Sequence, residues 1–443
     1  MQVTVYGAGY VGLVTAVCLA EIGHDVLCID IDSKKITDLH NGILPIYEAD
    51  LENLLHTNQQ QKRIQFTMDQ QAAVAFGNIH MIAVGTPSRA NGSVNLDYVD
   101  AIAHTIGQYR TTDCIVVNKS TVPPGTAERV DNIINATAAK FANNFMVTVV
   151  SNPEFLQEGT AVNQCMHPDR ILIGTTSMAA AELMRHFYQP LLLEHPERFL
   201  IMNPRSAELT KYAANALLAT KISFINEISQ IAECVGADIQ EIKCGMALDY
   251  RINPAFLNVG CGFGGSCFPK DLAGLKCIAQ DHQFNPIMIS AVIQRNYEQQ
   301  QLLFKKLNIF FQNKLQNKTI ALWGLAFKPH TDDIRNASSQ ALIDALLAAG
   351  TIIQAYDPLA MPATKAHYAD KLEQLHFADS ALAALQQADA LVLVTEWPQF
   401  QEHALTTIYQ YLKAPVIFDG RNIFDPLEAS KLGFHYFGIG RAT

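Results

Sequence analysis

The chain has 443 residues, too many for one typical domain, with 49% hydrophobic and 17% charged residues, the balance of a globular rather than a disordered protein. Its formal net charge of −10 argues against a general nucleic-acid or anionic-membrane binder, which needs a basic face, and leaves room only for a local basic pocket. Nine cysteines without a CxxC pair argue against a disulfide framework, structural zinc or thioredoxin-type chemistry, so no metal and a reducing, cytoplasmic setting are expected.

The opening "MQVTVYGAGYVGLVTAVCLAEIGHDV" is apolar, but it lacks a basic leader and glycines interrupt it regularly, unlike a signal peptide. No uninterrupted apolar run reaches transmembrane length. Residues 2–6 predict a buried strand, followed by a helix to about Ile22, a stop at Gly23, and a second strand in "DVLCID". Most cysteines, Cys18 and Cys28 among them, read as small buried hydrophobes. Gly7, Gly9 and Gly12 form GxGxxG between that strand and helix, and Asp30 closes the next strand; this context marks a dinucleotide turn. The first glycine makes the turn, the second admits a pyrophosphate to the helix N-terminus, and the third lets helix pack on strand. Asp30 can accept from a ribose hydroxyl and repels a 2'-phosphate, which favours NAD over NADP. Lys34 and Lys35 pull slightly the other way, and Asp32, beyond the strand, competes for the ribose role, although a helix start at it or Ser33 suits equally.

Three further apolar runs end in unusual polar residues. "HMIAV" enters Gly85, Thr86 and Pro87; "CIVVN" enters "KSTVPPGT"; "MVTVV" enters "SNPEFLQEG". In a doubly wound sheet ligands bind beyond the carboxyl ends of strands, so these ends are expected to share a site. Asn152 and Pro153 predict the N-cap and first position of a short helix that places Glu154 and Glu158 on one face. Residues 206–235 hold neither Gly nor Pro and repeat apolar side chains at helical period, predicting a helix of roughly 45 Å that joins two domains. Lys211 and Asn215 lie one turn apart on it, placed either to hold an oxyanion or to face water.

In "CGFGGSCFPKD", residues 261–271, glycines crowd before Cys267, so backbone passes close to something bulky there. An alcohol gives up a hydride once a base takes its proton, but an aldehyde does so only after its carbonyl carbon becomes tetrahedral. A thiolate can add to that carbon, and the thiohemiacetal can lose a second hydride to leave a thioester that water hydrolyses. Lys270 would raise the thiolate fraction and Asp271 would position or deprotonate water. A thiol that merely fills space in a glycine turn fits the same residues, and the stretch alone leaves both readings open. The C-terminal third then repeats the opening: "KTIALWG" is a strand, "NASSQALIDALLAAG" a helix, "TIIQAYDP" a strand ending in an acid, and "ADALVLVTEWPQF" echoes "GNIHMIAVGTPSR". It lacks GxGxxG, so a different ligand or none is expected there. Lys328, Arg335 and Arg421 stand near its strand ends, as ligand contacts or ordinary surface charge. The expected fold is α/β, two Rossmann-like doubly wound domains joined by a long central helix, with domains at 1–203, 204–305 and 306–443; "FFQNKLQNK" is the best boundary on composition.

Taken in order, "GAGYVG", "VGTP", "KSTVPPGT", "NPEFLQEG", "ELTKYAANA", "FLNVGCGFGGSCFPKD", "GLAFKPHTDDIR" and "FDGRN" resemble the nucleotide-sugar (UDP-glucose/GDP-mannose) dehydrogenase family nearly end to end. The resemblance implies four-electron oxidation of UDP-glucose to UDP-glucuronate with two NAD. It makes Cys267 the covalent nucleophile, Lys211 and Asn215 the oxyanion holders, Asp271 and Thr121 the water holders, and Glu154 an aid to proton transfer. It places NAD against Gly7, Gly9, Tyr10, Val11, Gly12, Asp30, Lys35, Thr86, Thr121, Glu158 and Arg335. It brings the UDP-sugar to Glu154, Phe155, Leu156, Lys211, Asn215, Phe256, Leu257, Gly264, Lys328 and Arg421, with Arg251 reaching the substrate of a neighbouring subunit in a homodimer built on the long helix. The nearest rival substrates are UDP-N-acetylmannosamine and GDP-mannose; Ser266, where the acetamido-sugar enzymes carry histidine, favours glucose. A two-electron hydroxyacid dehydrogenase would need no thiol, and a non-catalytic NAD-binding module would need neither Lys211 nor Asp271. Two departures stand out: Gln157, where bacterial relatives commonly carry arginine, and Cys261, close enough in sequence to Cys267 to suggest a regulatory disulfide.

Overall fold

In the computed structural model, which describes residues 1–441, the apolar runs become two sheets, one in each of two compact units that join along the chain between Ala214 and Asn215. The first unit holds β1 (Gln2–Tyr6), β2 (Asp25–Ile29), β3 (Ile64–Thr67), β4 (Ile79–Ile82), β5 (Cys114–Asn118), β6 (Val147–Ser151), β7 (Ile171–Gly174) and β8 (Phe199–Met202). Their order is β3-β2-β1-β4-β5-β6-β7-β8, parallel except where Ser151 meets Gly174. Strand pleating splits β1 between two cores: Val3 and Val5 pack with Leu13 and Val17, whereas Tyr6 packs with Ile82, Val99 and Ile134. Helices therefore cover both faces, and the strand order reverses between β1 and β4, where a doubly wound sheet opens its ligand crevice.

The second unit repeats the plan with β9 (Thr319–Trp323), β10 (Ile352–Tyr356), β11 (Leu375–Phe377), β12 (Ala390–Leu393), β13 (Val416–Asp419) and β14 (His435–Phe437), all parallel. Their order is β11-β10-β9-β12-β13-β14. Before this sheet the unit carries helices Phe268–Asp281 and Ile287–Gln300, whose Leu272 and Val292 pack with Ala216, Ala219 and Phe263 as a satellite core. The long helix spans Pro204–Val235, 32 residues, two residues longer at its start than the sequence suggested because proline suits a first turn.

Some expectations fail. Residues 153–157 are irregular rather than helical. The Asn152 side chain caps nothing: its amide donates to Leu172 O at 2.9 Å and its Oδ1 accepts from the Tyr188 hydroxyl at 2.5 Å. Glu154 and Glu158 thus share no helix face. The "FFQNKLQNK" stretch, by contrast, follows helix Leu302–Phe310 and leads into β9, the first strand of the second sheet. Four of the nine cysteines are buried, namely Cys18, Cys28, Cys114 and Cys261, fewer than the sequence suggested, and Cys267 is exposed.

Candidate active site

The first cluster is the glycine turn after β1. Gly7 sits at φ +100 with room for no side chain, since a Cβ would come 2.9 Å from Ala83 O. A Cβ on Gly12 would come 1.9 Å from Gly7 O, the close approach that seats the helix Tyr10–Glu21 on the sheet. Around Gly9, by contrast, a Cβ would meet nothing within 4 Å, and that helix start has no side-chain cap. Open space over uncapped helix N–H groups is what a pyrophosphate requires, so these residues fit a dinucleotide. Half-buried Asp30 accepts from Ala8 N at 2.7 Å and Asp32 N at 3.0 Å, and Lys35 Nζ lies 3.3 Å away. Burial alone would raise its pKa, but these partners outweigh it and hold the carboxyl below its ordinary value, charged and ready for a ribose. Asp32 caps the helix Ser33–His40 through Lys35 N.

The second cluster lies at the ends of β5 and β6 in the same unit. Lys211 Nζ meets Glu154 Oε1 at 3.1 Å, with both residues buried. A solvated helix face is therefore excluded for Lys211. Burial pushes the Glu154 pKa up, and Lys211, the Leu156 N–H and Lys119 more than reverse it, so the carboxylate is held charged. Phe155 lies under the Arg170 guanidinium at 3.8 Å and Lys211 at 5.3 Å. Thr86 Oγ1 donates to Thr121 O at 2.9 Å, joining two of the polar strand ends expected to converge.

Two charged residues in this cluster escaped the sequence reading. Lys119 is buried, with its pKa lowered by burial, and it reaches Asn152 Oδ1 at 3.4 Å. Glu208, one turn before Lys211, accepts from Gly125 N at 2.7 Å, Ala127 N at 2.9 Å and Ser151 Oγ at 2.9 Å. It thereby fixes the Thr121 loop and the N-terminus of helix Thr126–Lys140 to the helix that carries Lys211. The available signal was a carboxylate three residues from a lysine on a face otherwise read as apolar.

The third cluster, in the second unit, surrounds the thiol. Cys267 is the N-cap of the 14-residue helix Phe268–Asp281, with Pro269 in its first turn, and Ser266 Oγ lies 3.7 Å from its sulfur. Anionic sulfur is favoured at such a helix start. Asp271, 2% exposed, accepts from Asn215 Nδ2 at 2.6 Å and from Lys270 Nζ at 2.5 Å. The Lys270 charge, expected to favour the thiolate, is thus spent on Asp271.

The crowded glycines here meet protein. A Cβ on Gly264 would lie 2.4 Å from Asn336 O, one on Gly265 2.9 Å from the Phe327 ring, and one on Gly260 2.6 Å from Arg421 Nη1. Gly265 N also donates to Arg335 O at 2.8 Å. The cysteine loop is thereby pressed against the segments following β9 and β13, beside Lys328, Arg335 and Arg421. Arg421 is held by Val394 O at 2.7 Å and Glu396 at 3.0 Å, which removes it from ordinary surface charge. Arg335 is exposed and pairs with Asp333, and exposed Arg251 pairs with Asp249. Phe256 adopts φ +63 and Leu257 is buried. Cys261, the suggested redox partner, is 2% exposed, gives its S–H to Gly420 O at 3.4 Å, and is pushed up to about 12 by burial, so the reactive thiolate is disfavoured there. Gln157 is exposed and its N–H donates to Gln164 Oε1 at 2.6 Å. Glu158 lies in the turn before helix Ala161–Met166. Among the described residues no group of His, Cys, Asp and Glu could hold a metal ion, and no helix is long and apolar enough to cross a membrane.

Residues 1–192 match the NAD binding domain of the UDP-glucose/GDP-mannose dehydrogenase family, residues 205–298 its central domain and residues 321–426 its UDP binding domain. The chain is 46% identical to a UDP-glucose 6-dehydrogenase of Pseudomonas aeruginosa, over 100% of this chain and 98% of that one. It is 43% identical to the UDP-glucose 6-dehydrogenase TuaD of Bacillus subtilis, over 99% and 93%. A solved UDP-glucose dehydrogenase from the archaeon Pyrobaculum islandicum superposes with a TM-score of 0.90 at 34% identity, covering 100% and 98% of the two chains.

Proposed function

Because the chain belongs to the UDP-glucose/GDP-mannose dehydrogenase family, we propose that it oxidises UDP-glucose to UDP-glucuronate in two NAD-dependent steps. The observation that carries the four-electron reading is the exposed Cys267 thiol at a helix N-cap, a group that simple alcohol oxidation does not need. When bound at the Gly7–Gly12 turn, NAD takes up the hydride lost in each oxidation.

The first oxidation turns the C6 alcohol into an aldehyde, its proton leaving with help from Glu154. Cys267 sulfur then bonds to C6, and the carbonyl electron pair moves onto oxygen, where Lys211 and Asn215 hold the oxyanion. As that oxygen re-forms its double bond, the second hydride leaves C6 and a thioester remains on Cys267. Water held by Asp271 and Thr121 attacks the thioester as Asp271 takes its proton, the C–S bond breaks, and the sulfur departs as thiolate with the acid as product. Buried Lys211 and Asn215 suit the oxyanion role because each is a hydrogen-bond donor already held by a carboxylate, Glu154 and Asp271 respectively. In this reading residues 1–203 serve NAD, 204–305 form a helical domain with the cysteine loop, and 306–443 serve the UDP moiety through Lys328 and Arg421. Arg335 and Glu158 complete the cofactor contacts. On the long helix Leu217, Phe224 and Ile231 recur every seven residues, 62%, 49% and 51% exposed, which supports a homodimer formed on that face. A thiol nucleophile and NAD suit a reducing cytoplasm.

The test is a stoichiometry: excess NAD with limiting UDP-glucose, counting NADH per sugar nucleotide consumed. Two NADH with UDP-glucuronate as product are expected. One NADH would mean the reaction stops at the aldehyde and would remove the role given to Cys267. Turnover with UDP-N-acetylmannosamine or GDP-mannose alone would overturn the substrate.

A further inference from the structure

Glu48 is a buried carboxylate, 5% exposed, that none of the steps above employs. It lies in the connection between helices Ser33–His40 and Leu51–Gln60, far in sequence from Tyr10, Gly159 and Ala161, which its carboxylate meets. Its Oε2 accepts from the Tyr10 hydroxyl and, at 2.7 Å, from Gly159 N; its Oε1 accepts from Ala161 N at 2.7 Å. Gly159 N also reaches the Tyr10 oxygen at 3.0 Å, closing a three-membered network. Tyr10 is the first helical residue after the glycine turn. Gly159 lies in the irregular segment that begins with Glu154 and contains Glu158, and Ala161 opens the helix that follows it. That segment is tied at its other end by the Glu154–Lys211 pair.

We propose that Glu48 is a positioning residue that registers segment 154–161 against the cofactor turn through Tyr10, so that NAD binding and the setting of Glu154 and Glu158 depend on each other. This coupling rests on NAD occupying the Gly7–Gly12 turn, as proposed above. The segment's own bonds, Leu156 N to Glu154 and Thr160 N to Gln157 O, are local turns that do not tie it to the glycine turn, and charge-assisted bonds from Glu48 to two of its backbone N–H groups do. Only a carboxylate serves, because both of its oxygens accept. The isosteric Glu48→Gln variant would turn an NH2 donor toward an N–H or O–H donor on one side.

Three quantities are compared between wild type, Glu48→Gln, Tyr10→Phe and the double variant: NADH affinity by its own fluorescence, kcat with KM for NAD and UDP-glucose, and melting temperature. For Glu48→Gln about a tenfold weaker NADH affinity and roughly a tenfold lower kcat are expected, since misplacing groups by about 1 Å costs up to 10²-fold. The KM for NAD should rise more than the KM for UDP-glucose, because the network is anchored at Tyr10 on the cofactor turn. The double variant should be no worse than the worse single variant, because both act on one network. Unchanged kinetics and NADH affinity in folded Glu48→Gln would overturn the inference. So would a lower melting temperature with kinetics unchanged, or additive effects in the double variant. The NADH titration needs no sugar, so an inactive wild type would count against the proposed reaction while the titration still decides the role of Glu48.

Discussion

Cys267 has a helix N-terminus on one side and the Ser266 hydroxyl 3.7 Å from its sulfur, both of which favour anionic sulfur. The Cys267→Ala variant should lose formation of UDP-glucuronate by roughly 10⁴-fold or more, as other enzymes do without their nucleophile. NADH binding should persist, because the glycine turn lies in the other unit. Product chromatography and an NADH titration check both halves; full acid formation by the variant would end the covalent mechanism. Glu154 supports a second prediction. Its folded pKa lies below its ordinary 4.5, so its pairing with Lys211 stabilises the fold above the unfolded value and loses that effect as pH falls through the lower folded one. Lys211→Met, which leaves the buried Glu154 carboxylate without that ammonium, should cost about 3–5 kcal/mol at pH 7. The deficit in chemical denaturation should shrink in acid, where the carboxyl becomes protonated. A deficit equal at every pH would show that the pair adds nothing through charge.

Two glycines separate what the elements need for folding from what a ligand needs. Gly9 has φ −77 and open space around its missing Cβ, so Gly9→Ala should fold normally. That Cβ would enter the pyrophosphate path and should weaken NADH binding roughly tenfold or more, the order of a lost charge-assisted contact. Gly264→Ala should do the reverse: with Asn336 O only 2.4 Å from the new Cβ, the cysteine loop must lift, costing kcat up to about 10²-fold while NADH binding is spared. Equal effects of both variants on NADH affinity would contradict this division. The elements themselves were legible because strand and helix periods are local: β1, β2, β5, β6, β9 and the Pro204–Val235 helix fall where apolar spacing and Gly or Pro punctuation put them. Segment 153–158 was misread because Asn152 is a good cap by type, yet its amide goes to Leu172 and Tyr188, partners that no local rule supplies. Lys119, Glu208 and Glu48 were missed for the same reason, since each acquires its meaning from residues at least 30 positions away.

At the scale of the molecule, two sheets of one topology have been given different tasks, and an acid at equivalent strand ends records the difference. Asp30 follows β2 and stays half-buried beside an open glycine turn. Asp357 follows β10, is 0% exposed, and accepts from Leu325 N at 2.7 Å, Ala326 N at 3.1 Å and Trp397 Nε1 at 3.0 Å. Its carboxylate is consumed in holding the turn after β9 and Trp397, so it is not offered to a ribose as Asp30 is, consistent with the absence of GxGxxG there. The units are linked by a helix that leaves Leu217, Phe224 and Ile231 exposed at seven-residue spacing. Three large apolar side chains on one face are costly in water, each worth about 1.5–3 kcal/mol on burial. A second copy of the same helix would cover them symmetrically, residue for residue. Sedimentation velocity should therefore find a dimer at micromolar concentration. Phe224→Glu, at the middle of the stripe, should weaken dimerisation about 10²-fold or more, because central apolar anchors carry most of an interface's energy. A wild-type monomer, or a Phe224→Glu variant that dimerises as tightly as wild type, would place the contact elsewhere. If the variant's activity per chain also falls as the dimer dissociates, the partner contributes to each site, the role expected for Arg251; activity that follows the chain regardless of assembly would make each subunit self-sufficient.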